Sequence, residues 1–121
     1  DELAPAVERA IERGTVIVSA LEHEGQAMYP GCLEGVVGVM LFWNHPRETV
    51  TSVALETGGS ALVASGYPRP IPGVPPDRNL NGISFAVANA TGVLAAALVG
   101  SPERRSAEDA IDALRGQEAR T

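Results

Sequence analysis

Aromatic side chains are scarce in this chain, 4% of 121 residues. An apolar interior must therefore be assembled from Val, Leu, Ile and Ala. There is a single cysteine, Cys32, which excludes an internal disulfide and leaves the redox compartment open. Lysine is absent. The nine basic residues are all arginines scattered along the chain, and the net charge is −6. Phosphate binding wants clustered cations, so no nucleic-acid partner is expected. No apolar run approaches the roughly 18 residues of a helical membrane span, so no membrane partner is expected either. No secretory leader pattern opens the sequence. What is present is ordinary for a globular chain, 45% apolar and 20% charged, with 13 glycines and nine prolines promising many turns.

The length suits one domain at most, taken as residues 1–121. Residues 3–13 place Leu3, Val7, Ala10 and Ile11 on one helical face, and Gly14 is a natural stop. Residues 15–20 and 36–41 are dense in Val, Ile, Leu and Met. They read as strands buried on both faces, the parallel-sheet kind. The segment between them reads as a loop around Gly25, Pro30 and Gly31. Two shorter strands are expected in TSVAL (51–55) and SALVAS (60–65), after a polar turn. Residues 66–82 are too rich in Pro and Gly for sheet or helix. Residues 84–100 are small and apolar almost all round, as in a buried helix. Ser101-Pro102 breaks that helix, Ser106 caps another through Asp109, and that last segment reads as a surface helix to Leu114, frayed at its end. The fold class is α/β, with a parallel sheet and flanking helices. So few strands leave both sheet edges open, and open edges are a liability.

The segment Asn81-Gly82-Ile83-Ser84-Phe85-Ala86-Val87-Ala88-Asn89-Ala90-Thr91-Gly92 resembles the nucleophile motif of subtilisin-like serine peptidases, N-G-T-S-M-A-x-P-H-V-A-G. Asn81, Gly82, Ser84, Ala86 and Gly92 match it. Upstream, ERGTVIVSALEHEG, then YPG, then VVGVM resembles that family's helix, strand, A-G-N-x-G loop, Y-P-A/G segment and next strand. ALETGGSALVASG is a looser echo of its A-P-G stretch. The resemblance implies a partial subtilisin-like parallel sheet, the C-terminal half of the catalytic domain. It also marks departures. The family's catalytic Asp and His precede the point where this sequence begins. Its oxyanion asparagine aligns with His23, the threonine before the nucleophile is Ile83, and the helix proline and histidine are Ala88 and Asn89.

Two site residues follow from the resemblance. Ser84 is the expected nucleophile, at a helix N-terminus whose free N–H groups and dipole suit a developing oxyanion; by itself it would equally be an ordinary helix cap. His23 is the expected oxyanion donor, a role worth ~10²–10³ in rate; by itself it would be a solvated loop histidine. Glu22, His23 and Glu24 are consecutive and point different ways, so no metal is expected, and no cofactor. His45 beside Pro46 tempts as a base, but nothing else places it near Ser84. Cys32 reads as a small half-buried residue. Glu108, Asp109 and Asp112 read as a solvated helix face; Asp77 sits in the Pro-rich loop, where a place near the nucleophile and an ordinary turn residue are both open.

The resemblance implies a peptidase subunit that acts on a peptide or protein substrate, completed by a partner chain supplying the Asp and His. A degenerate pseudopeptidase kept for binding or assembly is the alternative. A piece cut from a longer enzyme would share the same local fold. Self-association is the other way to cover the open edges. In each case Ser84 and His23 are expected to face one another across a small cleft.

Overall fold

The computed structural model describes residues 2–101, 103 and 106–120. Helix α1 (Leu3–Glu12) leads into strand β1 (Val18–Ala20). A small hairpin follows, β2 (Glu22–His23) and β3 (Gln26–Ala27). Then come β4 (Val37–Leu41), β5 (Thr51–Ala54), β6 (Ser60–Ala64), a 3-10 turn over Pro76–Arg78, α2 (Ile83–Leu98) and α3 (Ala107–Arg120).

The main sheet has the order β1-β4-β6-β5. β1 and β6 both run parallel to the central β4, with Val18 opposite Val37 and Val39 opposite Leu62. β5 is antiparallel to β6, with Thr51 opposite Val63. The chain is thus α/β with a mixed sheet. The all-parallel expectation fails at β5, because Leu55–Gly59 is too short for a crossover and closes as a hairpin turn, Gly58 N donating to Leu55 O at 3.0 Å.

Val37, Val39, Leu62 and Ala64 present one face of β4 and β6 to α2, which answers with Ala86, Ala90 and Leu94. α3 closes the same core with Ala110, Ile111 and Leu114. Small side chains on α2 allow the helix to lie close to the sheet. Across the opposite face the loop after β3 folds back on β1, and a Cβ on Gly31 would overlap the Ala20 carbonyl.

Four expectations need correcting. β1 is shorter than 15–20 and only half buried, because its outer edge has no strand beside it. The segment after β1 is not wholly a loop: β2 and β3 pair across it. The helix of 84–100 is not buried all round, since Ala88, Thr91, Gly92, Ala95 and Ala96 are exposed. The last helix is packed rather than merely superficial, and its backbone stays helical through Arg120. Its Ser106 cap is formed, the hydroxyl accepting from Asp109 N at 3.0 Å. Of the break before it, Pro102 lies outside the described residues.

Candidate active site at the carboxyl ends of the parallel strands

Loops leaving parallel strands converge at the strands' carboxyl ends, and helix N-termini point there too. Here β1 runs through Leu21 into the β2–β3 hairpin, Leu21 N donating to Val39 O at 2.9 Å. β4 runs into Phe42 and Trp43, with Phe42 N donating to Ala64 O at 3.1 Å. β6 runs into Ser65, Gly66 and Tyr67. After the Pro-rich excursion the chain returns to that point, Gly82 N donating to Gly66 O at 2.9 Å. α2 therefore starts at the carboxyl end of β6, and Ser84 lies in its first turn.

Gly82 caps α2 with φ 140 and ψ 180. This region is essentially open only to glycine. Nothing lies within 4 Å of where its Cβ would be, so backbone conformation and not crowding requires glycine here. No side chain caps the helix. Among the described residues, the Ser84 N–H and hydroxyl have no hydrogen-bond partner, and the side chain is exposed.

Asn89, in the second turn of α2, holds the neighbouring loop. Its Nδ2 donates to Ser65 O and to Tyr67 O, both at 3.0 Å. Ser65, buried at 2% exposure, accepts from Tyr67 N at 3.2 Å through its hydroxyl. The carboxamide thus locks the β6–α2 junction on which Ser84 depends. This positioning role had no signal in the sequence, where Asn89 was only a departure from a motif.

His23 sits on β2, exposed, its Nε2 3.8 Å from Glu24 Oε1. It does not hydrogen-bond Ser84. The two residues share the carboxyl end of the sheet but lie on the segments that follow β1 and β6, on either side of β4, with two strand spacings (roughly 10 Å) between those strands. His45 Nε2 lies 3.2 Å from Thr51 Oγ1, which ties the turn after β4 to the start of β5. Among the described residues no imidazole reaches the Ser84 hydroxyl.

Cys32 is half-buried, its N–H donating to Met28 O at 2.9 Å. Asp77 is exposed in the 3-10 turn. Asp112 pairs with Arg115 at 3.7 Å along α3, and Glu108 is exposed. Among the described residues no three His, Cys, Asp or Glu side chains group as metal ligands.

Two further features were not legible in the sequence. Trp43 and Tyr67 meet with ring centroids 5.4 Å apart and planes at 59°. The exposed side of α2, at Ala88 and Gly92, forms with Arg47 and Glu48 a shallow open cleft. In it the Arg47 Nε is buried without a hydrogen-bond partner. No protein-family model, no curated protein and no solved structure matches this chain, so the site rests on its own geometry and on the motif around Ser84.

Proposed function

We propose that this chain is the nucleophile-bearing part of a subtilisin-like serine peptidase, completed by a partner chain that carries the Asp and His. In that assembly the Ser84 hydroxyl attacks a peptide carbonyl, the partner's imidazole takes its proton, and the Ser84 N–H with the His23 ring stabilises the oxyanion. The observation that carries the reading is the placement of Ser84: exposed, in the first turn of α2, with an unpartnered N–H and hydroxyl, at the carboxyl end of three parallel strands.

Two unfinished surfaces support a partner. Strand alternation leaves the Val18 and Ala20 N–H groups on the outer edge of β1, without backbone partners among the described residues. The outward face of α2 presents Ala88, Gly92, Ala95 and Ala96 to solvent. A second polypeptide lying along β1 and α2 would cover both and would set its own side chains beside Ser84.

The pseudopeptidase alternative draws on one observation: the His23 ring lies toward Glu24 and makes no bond to Ser84. Labelling with a fluorophosphonate separates the two. The chain alone should not label. The native complex recovered through this chain should label at Ser84 and lose labelling in Ser84→Ala. An unlabelled native complex would leave the binding role standing and remove the enzyme. In an active complex, His23→Ala should lower kcat about 10²-fold with little change in KM.

A further inference from the structure

Most large apolar side chains that stay exposed belong to segments that leave one end of the sheet. Among the described residues the exposed ones are Leu3, Met28, Tyr29, Phe42, Trp43, Ile71, Val74, Leu80 and Val99. All but Leu3 and Val99 lie on the segments that leave the carboxyl ends of β1, β4 and β6. That is the Ser84 end of the sheet. Concentrated exposed apolar surface marks a contact site more often than chance.

Trp43 of this group packs against the half-buried Tyr67, the only ring pair in contact among the described residues. Their contact is built. The Trp43 ring lies over Gly66, where a Cβ would stand 3.0 Å from Trp43 Cζ3 and would overlap Leu41. Glycine is thus what admits the indole. Tyr67 is held through its own backbone, its N–H to Ser65 Oγ and its carbonyl from Asn89 Nδ2. The same point above Gly66 lies 3.4 Å from the Gly82 carbonyl, two residues before Ser84. Trp43 nevertheless remains 49% exposed.

We propose that Trp43 and Tyr67 form a preorganised platform for an apolar, preferably aromatic, side chain of the peptide that Ser84 engages. The platform sets which peptides are taken; the bond-breaking step belongs to Ser84 and rests on the peptidase reading above. An aromatic occupant fits the tilted ring pair, which offers it both a ring face and a ring edge. A cationic occupant fits poorly. The two loops that carry the rings, 42–49 and 65–82, hold Arg47, Arg69 and Arg78 against Glu48 and Asp77, so they offer no surplus of negative charge.

Trp43 is the single tryptophan of the chain and so reports on its own site. The test is a fluorescence titration of the purified protein, together with whatever partner co-purifies, with acetyl-Ala-Ala-Phe-amide, acetyl-Ala-Ala-Lys-amide and acetyl-Ala-Ala-Asp-amide. The expected result is a saturable shift of the Trp43 emission, with the Phe peptide binding roughly tenfold more tightly than the other two. Tyr67→Ala, which keeps the reporter and whose folding is checked by circular dichroism, should remove that preference. Tyr67→Phe should retain it. No saturable response, equal affinities, or tightest binding of the Lys peptide would overturn the proposal. A Phe preference in a native complex whose Ser84 stays unlabelled would sustain the platform and remove the peptidase; labelling without the preference would do the reverse.

Discussion

The two flanks of the sheet are finished to different degrees. On the β5 side, α3 packs Ala110, Ile111 and Leu114 into the core. Arg115 reaches across the hairpin, its Nε donating to Ser52 Oγ at 3.0 Å and one terminal nitrogen to Ser60 Oγ at 2.9 Å. On the β1 side the edge strand is three residues long, half buried, and paired on one side only. Neither edge has a further strand beside it among the described residues, but β5 is braced by α3 and β1 is not. Ser84 and the aromatic pair lie at the carboxyl end of the parallel strands.

The sharpest way to break this comparison is amide exchange. Local opening free energies range from near zero at loosely held edges to the full folding free energy in the core. The amides of Val39 and Leu62, in β4 and β6, should exchange at least about 100-fold more slowly than those of Val18 and Ala20. In the native complex the Val18 and Ala20 amides should become protected. Equal protection in the isolated chain would mean that β1 is already covered, for instance by self-association, which light scattering would reveal.

Side-chain truncation gives the next largest contrast. Leu62 is fully buried, and Leu62→Ala should cost about 2–5 kcal/mol. Val18→Ala, on the half-buried edge, should cost about 1 kcal/mol or less. Urea unfolding of the two variants measures both, and a reversal of their order would put the core on the wrong flank.

The junction that carries Ser84 comes next. Asn89→Ala leaves the Ser65 and Tyr67 carbonyls without their shared donor and should cost about 1–3 kcal/mol. Gly82→Ala should cost a similar amount, about 1–3 kcal/mol, through backbone strain alone. In the native complex each variant should also slow fluorophosphonate labelling of Ser84. If the stability loss appears and labelling is unchanged, the junction is a structural brace only. The smallest effect belongs to the exposed clamp of the β5 flank: Arg115→Ala should lose about 0.5–1.5 kcal/mol, checked by the same unfolding measurement.

Local signals survived folding where they were dense. The apolar runs around Val37–Leu41 and Ser60–Ala64 became the central strands, because β-branched and aliphatic residues without polar interruption can only be buried. The stop at Gly14, the cap at Ser106 and the helix starting just after Gly82 also follow from a few neighbouring residues whose backbone preferences are strong. The short segment between β5 and β6 contains the reason for a hairpin, two glycines with positive φ at Gly58 and Gly59, where the apolar pattern by itself predicts a parallel sheet.

What tertiary structure alone decided involves residues far apart in the chain. Composition made α2 apolar on every side, and only the placement of the sheet and α3 chose which face to cover and left Ala88 and Gly92 outside. Asn89 became a clamp because the β6 loop happens to pass its carboxamide, and Trp43 met Tyr67 because two neighbouring strands end at the same height. His23 and Ser84 came to one end of the sheet by topology, while the separation of β1 from β6 kept them out of hydrogen-bond contact. Short-range conformational preference is written residue by residue and can be read that way. Pairing across dozens of residues depends on how the whole sheet is ordered, and no single segment of this sequence contains that order.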